Sequence, residues 1–147
     1  MTAYKWGAIS YILWGVMHAM IGLQILWINL GQSSRQVISS LYLDAGTIST
    51  PPQLGSVISG LINQHGWNLF WFGVVAVIVA VIGNWRNNRA AYWANLALVS
   101  LADIGFIFAI LIPGYIKLAI GIGGPILWVV AMLLSTIGIL KTKSVND

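Results

Sequence analysis

Four continuous apolar runs, each long enough to cross a lipid bilayer, most constrain how this chain folds. They cover residues about 6–30, 67–85, 90–112 and 116–140. A helix needs about twenty residues to cross about 30 Å of hydrocarbon, at about 1.5 Å per residue. Because the apolar residues do not alternate, and because lipid admits only helices or closed barrels, helices are favoured over strands. We therefore expect four transmembrane helices.

Composition supports this class and removes several kinds of chemistry. The 147 residues are 59% hydrophobic and 7% charged, whereas a soluble domain carries about 25% charged residues. The chain has no cysteine and no glutamate, and its acidic residues are Asp44, Asp103 and Asp147. Thiolate nucleophiles, iron–sulfur clusters and cysteine zinc sites are therefore excluded. Mechanisms that need two neighbouring carboxylates have no second acid near Asp103.

The connections predict how the spans are arranged. "NWRNNR" and "IPGY" are short, so the helices that they join must be antiparallel neighbours. The predicted fold is all-α: a polytopic membrane four-helix bundle with up-down-up-down order, formed as one domain of residues 1–147. Residues 31–66 form the one long connection, on the outer side. The first run is too long for the core of a signal peptide, which spans about 7–15 residues, so we expect it to be retained.

The outer connection is predicted to be partly helical. "TPPQLGSVISGLIN" places Thr50 as a helix cap and Pro51 at the first helical position. Apolar residues then follow at helical spacing, and "SRQVISSLYL" repeats this pattern more weakly. Two interpretations are open: short helices that cover the outer end of the bundle, and a surface on which a partner docks.

Lysine and arginine predict the orientation. With four spans, both termini lie on the same side as the connection around 86–89. That side would hold Lys5, Arg86, Arg89, Lys141 and Lys143, and the other side Arg35 and Lys117. The positive-inside rule then places both termini in the cytoplasm. Because the positive charge is scattered and forms no cluster, the lipid bilayer is the expected partner and nucleic acid is not.

His18 and Asp103 are the polar residues that most need an explanation. Each lies near the middle of a predicted span, and the two spans run in the same direction, so their depths should agree within a few ångströms. A lone carboxylate at that depth costs several kcal/mol unless it is neutral, paired or facing water. We therefore predict that His18 and Asp103 are in contact.

Two roles for this contact are open. In the first, it is a hydrogen-bonded tie between the first and third helices, packed by the small residues Gly15, Ala19 and Gly22. In the second, it is a protonatable dyad in a cavity, suited to acid–base chemistry or proton-linked transport.

Other polar residues lie at two levels of the predicted bundle. The cytoplasmic half contains Ser10, Asn95, Ser100, Ser135 and Thr136, and the outer half contains Gln24 and Asn68. Such residues commonly form hydrogen bonds between helices. If they lined one cavity with His18 and Asp103 instead, the bundle would favour a small polar or amphipathic ligand.

Metal and haem sites are not predicted. His65 is expected just outside the second span, more than about 10 Å further out than His18, so the two imidazoles could not share one iron. We therefore predict no metal and no cofactor. "GIGGPILW" at 121–128 indicates either a broken helix beside a binding site or a helix that begins at Pro125.

Three short motifs carry a resemblance: "KWG" at 5–7, "GVMHAMIG" at 15–22 and "FWFG" at 70–73. With the layout of the four spans, they resemble an uncharacterised group of small bacterial four-helix membrane proteins. The resemblance implies a bacterial inner-membrane protein with four helices. It implies no activity and no site.

The predicted function is a non-enzymatic integral membrane protein that binds a lipid-like or small amphipathic ligand. Packing as an accessory subunit of a larger membrane complex, or as a homo-oligomer, is included in this prediction. The alternative is a small membrane enzyme or proton-linked transporter that uses His18 and Asp103. The candidate ligand-binding or polar-core residues are His18, Asp103, Gln24, Asn68, Asn95 and Ser100.

Overall fold

The computed structural model describes the backbone of residues 2–31 and 52–143 and the side chains of residues 2–28 and 57–141. Every regular element in these ranges is helical. The elements are α1 (Ala3–Gly31), α2 (Pro52–Ile82), α3 (Arg89–Phe106), α4 (Leu118–Gly121) and α5 (Gly123–Lys143). A 3₁₀ turn at Asn84–Arg86 follows α2, and a π-helical turn at Ile107–Leu111 continues α3. The predicted all-helical class is confirmed.

Four helical segments are long and apolar enough to cross a membrane. They are Ala3–Ile28, Val57–Arg86, Arg89–Leu111 and Leu118–Lys141. The second begins earlier than the predicted span 67–85, because α2 is continuous from Pro52. No proline separates the amphipathic stretch after Pro52 from the apolar run, and isolated glycines are tolerated within a helix, so the predicted short helix and the second span form one helix.

Parts of the predicted outer connection lie outside the described residues. These parts are the cap at Thr50, the first helical position at Pro51 and the stretch "SRQVISSLYL". The predictions made for them stay predictions.

Helix α1 is the central element of the fold. It packs along α2 and α5, while α3 contacts α2 and α5 over shorter stretches. The core is formed by side chains from all four long helices: Tyr11, Trp14, Ala76, Ala80, Val99 and Ala131. Large aromatic residues of α1 therefore fill the space between small residues of α2 and α5.

The small residues of α1 face α2 and not α3. A Cβ atom added to Gly15 would lie 2.6 Å from the Gly73 carbonyl oxygen, and one added to Gly22 would lie 2.5 Å from the Gly66 carbonyl oxygen. These distances leave no room for a side chain, so the two backbones are in direct contact. The expectation that this stripe packs the first helix against the third is wrong, because the stripe lies on the face of α1 that meets α2.

The stretch "GIGGPILW" contains a short break. Helix α4 ends at Gly121, and α5 begins at Gly123, two residues before Pro125. Hydrogen bonds continue across the break, since Ile122 N donates to the Leu118 carbonyl at 2.9 Å and Ile126 N donates to the Ile122 carbonyl at 3.1 Å. Proline carries no N–H group, so Pro125 donates nothing to the carbonyl of Gly121 four residues earlier.

Candidate functional site

A cavity of about 140 Å³ lies among the helices and is partly open. Three ionisable side chains line it: His18 from α1, His65 from α2 and Asp103 from α3. The rest of its wall is apolar side chains and glycine backbone: Met17, Ile21, Ile25, Leu69, Phe106, Ile110, Ile116, Ile120, Gly121, Gly124 and Pro125. A largely apolar pocket with a few converging polar groups is the usual form of a small-molecule site.

Trp14 connects the two central polar residues of this cavity. Its ring is fully buried and stacks on the imidazole of His18, with centroids 3.7 Å apart and planes at 23°. The spacing of four residues on one helix places the two rings one above the other. Trp14 Nε1 also donates a 2.8 Å hydrogen bond to Asp103 Oδ2. The indole therefore fixes the positions of both side chains.

The tautomer of His18 follows from its own hydrogen bond. Nδ1 lies 2.8 Å from the Trp14 carbonyl oxygen. A carbonyl oxygen only accepts, so Nδ1 carries the proton of this bond. In the neutral imidazole, Nε2 is then a hydrogen-bond acceptor. The helix backbone thus determines which nitrogen of His18 can accept from a ligand.

His18 and Asp103 meet at one end of the cavity, beside Gly124. A Cβ atom on Gly124 would lie 3.3 Å from His18 Cε1 and 3.4 Å from Asp103 Oδ1. Within the described ranges, no hydrogen bond joins His18 to Asp103; each bonds to Trp14 instead. The hydrogen-bonded connection between the two residues therefore runs through the indole of Trp14, which sequence reasoning had not assigned to either residue.

Asn95 and Ser100 lie outside the cavity and join helices. Asn95 is fully buried, and its Nδ2 donates to Asn84 Oδ1 at 2.8 Å and to the Ala76 carbonyl at 3.2 Å. Ser100 Oγ accepts from Trp128 Nε1 at 2.9 Å, which ties α3 to α5. Both have the interhelical role that polar residues commonly take in membrane helices.

Gln24 and Asn68 also lie outside the cavity. Gln24 is exposed and lines a separate groove with Leu23, Leu26 and Trp27. Asn68 Oδ1 accepts from Trp71 Nε1 at 3.2 Å within α2. The continuous polar seam that would have joined all six candidates to one site is not present among them: only His18 and Asp103 line the cavity.

Sequence reasoning missed His65 as a cavity residue. The sequence predicts His65 just outside the second span, whereas α2 runs through it. A Cβ atom on Gly66 would meet Ile25 at 2.8 Å, and Gly66 also packs on Gly22, one turn and about 6 Å along α1 from His18. His65 is therefore closer in depth to His18 than expected. The helical spacing on both sides of "NQH" was the available signal.

The residues that the structure describes contain no group of three His, Cys, Asp or Glu side chains able to hold a metal ion. No family model, curated protein or solved structure matches the chain. The resemblance to the group of small bacterial membrane proteins stays a prediction.

Proposed function

We propose that the chain is an integral membrane protein whose four long helices cross the bilayer. The distribution of side chains supports this, because large apolar residues cover the outside while polar residues lie inside. Leu101 is 74% exposed and Phe108 is 69% exposed, whereas Asn95 and Asp103 are buried. In water this arrangement would expose a very large apolar surface, which soluble monomers rarely do.

Up-down-up-down order is part of the same proposal. Contacts between α1 and α2 pair Gly15 with Gly73 and Gly22 with Gly66, so residue numbers rise on one helix as they fall on the other. The Nζ atom of Lys5 lies 5.6 Å from the centre of the Trp85 ring, which supports the first helix and the second connection sharing one end. By the positive-inside rule, this end would face the cytoplasm.

We further propose that the cavity binds a small amphipathic or lipid-like ligand. One observation carries this proposal: the wall is apolar except where His18, Asp103 and His65 contribute polar atoms. A dry cavity of about 150 Å³ holds one benzene molecule. The cavity therefore accommodates a headgroup with a short apolar segment, and a longer tail would leave through the open side.

A photoactivatable octanol that carries a diazirine on its chain tests this function. The purified protein in phosphatidylcholine nanodiscs is irradiated with the probe, and the labelled residues are mapped by mass spectrometry. We expect labels on cavity residues such as Phe106 and Ile110, and a clear loss of these labels in Gly124→Ala. Gly105→Ala is the matched control, because a Cβ atom there meets nothing within 4 Å. Labels confined to the outer surface, and unchanged in Gly124→Ala, would rule out a ligand site in the cavity.

A proton-linked transporter or membrane enzyme is the second candidate. It is favoured by the closeness of His18 Cε1 and Asp103 Oδ1 to the same point beside Gly124, because two titratable groups in one cavity can exchange protons through a bound molecule. Proteoliposomes loaded with a pH-sensitive dye distinguish the two candidates. A proton flux that depends on both His18 and Asp103 would replace the binding function with transport.

A further inference from the structure

We infer that the polar end of the ligand is a primary ammonium group, so that the cavity binds an alkylamine. This inference rests on the proposed ligand-binding function and adds the chemical class of the ligand. It follows from which cavity atoms near His18 and Asp103 can donate a hydrogen bond and which can accept one.

Asp103 provides the first acceptor. Its Oδ2 is occupied by the Trp14 indole. Its Oδ1 lies beside Gly124 at the end of the cavity, and the described part of the chain places no donor on it. A carboxylate without a positive partner inside a membrane is costly. A ligand that brings a positive charge and an N–H group removes that cost.

His18 provides the second acceptor. Because Nδ1 donates to the Trp14 carbonyl, Nε2 of the neutral ring has a free lone pair. No lysine or arginine lines the cavity in the described ranges. The His18–Asp103 end therefore offers acceptors to a ligand, and no protein cation competes for them.

The backbone of Gly121 lies on the same cavity wall, and its carbonyl lacks one helical hydrogen-bond donor. Pro125, which would complete the helical hydrogen bond to this carbonyl, has no N–H group, and both residues line the cavity. A primary ammonium group has a positive charge and three N–H donors, enough to pair with the acceptors of both Asp103 and His18. The apolar wall and the ring of Phe106 then surround the alkyl chain.

The same set of hydrogen-bond acceptors disfavours other headgroups. A carboxylate or phosphate would face Asp103 without a cation nearby, and like charges at this distance repel strongly in a low dielectric. A hydroxyl has one donor and leaves one of the two acceptors unpaired, which costs about 1–3 kcal/mol for a buried group. A metal ion would need more ligands than the described residues bring together.

Competition against the photoactivatable octanol tests the inference in wild-type protein. Unlabelled octylamine, octanol, octanoate and octyltrimethylammonium are titrated into phosphatidylcholine nanodiscs, and labelling of the cavity is measured. We expect octylamine to compete at a concentration at least about tenfold below that of octanol, which corresponds to about 1.4 kcal/mol. Octyltrimethylammonium, which has charge but no N–H group, should compete less well than octylamine. Equal competition by octanol or octanoate would overturn the inference while leaving the binding function intact; absence of any cavity label would instead reject the binding function itself.

Two variants locate the recognition. Asp103→Asn preserves the shape and an acceptor for Trp14 but removes the charge, so the advantage of octylamine over octanol should disappear. His18→Phe preserves the ring stack on Trp14 and removes Nε2, and it should reduce that advantage in the same direction. Gly105→Ala should retain it. If folded Asp103→Asn and His18→Phe both keep the full preference for octylamine, the assignment to these acceptors is wrong.

The source of the amine is distinguished by changing the bilayer. Nanodiscs that contain phosphatidylethanolamine present the ammonium group on a lipid that also carries a phosphate. Reduced cavity labelling in these nanodiscs would support the lipid headgroup as the source. Unchanged labelling, together with competition by octylamine, would support a free alkylamine.

Discussion

Trp14 Nε1 donates a 2.8 Å hydrogen bond to Asp103 Oδ2 across the bundle, between residues 89 positions apart in the chain. The same indole stacks on His18 and lies in the central core cluster. A side chain that packs the core thus also positions the carboxylate at the end of the cavity. Stability and the geometry of the site are therefore coupled through one residue.

Trp14→Phe should destabilise the fold by removing the donor to Asp103. The phenyl ring keeps most of the packing and the stack on His18, so the main loss is a hydrogen bond to a carboxylate, worth about 1.5–3 kcal/mol. Unfolding in mixed detergent, followed by circular dichroism, measures the change. Trp128→Phe is the control, because it removes a bond to the hydroxyl of Ser100, worth about 0.5–1.5 kcal/mol. Equal losses in the two variants would contradict a special role for the Trp14–Asp103 bond.

Gly22→Ala should separate α1 from α2. The added methyl group would lie 2.5 Å from both the Gly66 carbonyl oxygen and the Phe70 backbone nitrogen, and neither backbone atom can move alone. Forcing extra volume into a packed interface costs about 1–3 kcal/mol. Gly60→Ala on α2 is the matched control, since its Cβ atom meets nothing within 4 Å, and it should be neutral or stabilising. The same detergent unfolding assay checks both, and a Gly22→Ala variant as stable as Gly60→Ala would show that the helices are not in contact there.

The sequence predicts the number of long helices because the length of an apolar run is a local property. It also predicts that His18 and Asp103 lie at one level, since depth follows from the helical rise. It is harder to predict which face of a helix packs against which neighbour. Every face of these helices is apolar, so the periodicity of the sequence hardly distinguishes one face from another. This is why the stripe of Gly15, Ala19 and Gly22 was assigned to the wrong neighbour.

The role of Trp14 could have been predicted from two further features of the sequence. Its spacing of four residues from His18 indicates a shared face, and its N–H group needs a partner when buried. Asp103 was the nearest carboxylate in depth. His65 was missed because it was placed just outside the second span, whereas the helix continues through it.

Tyr11→Phe should be neutral or stabilising, although Tyr11 is fully buried. Its hydroxyl lies near Ser135, whose own hydroxyl already donates to the Ala131 carbonyl, and it forms no hydrogen bond of good geometry among the described residues; neither does Asn95 Oδ1. An unpaired buried polar group costs about 1–3 kcal/mol, so removing it while keeping the ring should not reduce stability. Asn95→Leu should behave differently, because it deprives Asn84 Oδ1 of its donor. A large loss of stability in Tyr11→Phe would indicate a bound water that bridges the hydroxyl to another group.

A single cysteine introduced at Lys117 and one introduced at Arg89 should be labelled from opposite sides of the membrane. The chain has no cysteine of its own, so each variant carries one thiol. Both positions are exposed and lie just before or at the start of a long apolar helix. If both termini face the cytoplasm, a maleimide that cannot cross membranes should label Lys117→Cys in intact cells and label Arg89→Cys only after the cells are opened. The charge bias predicts this orientation because Arg86 and Arg89 share a connection and resist transfer across the membrane. Labelling of Arg89→Cys alone in intact cells would invert the orientation. Labelling of both thiols would contradict a single membrane crossing between the two positions.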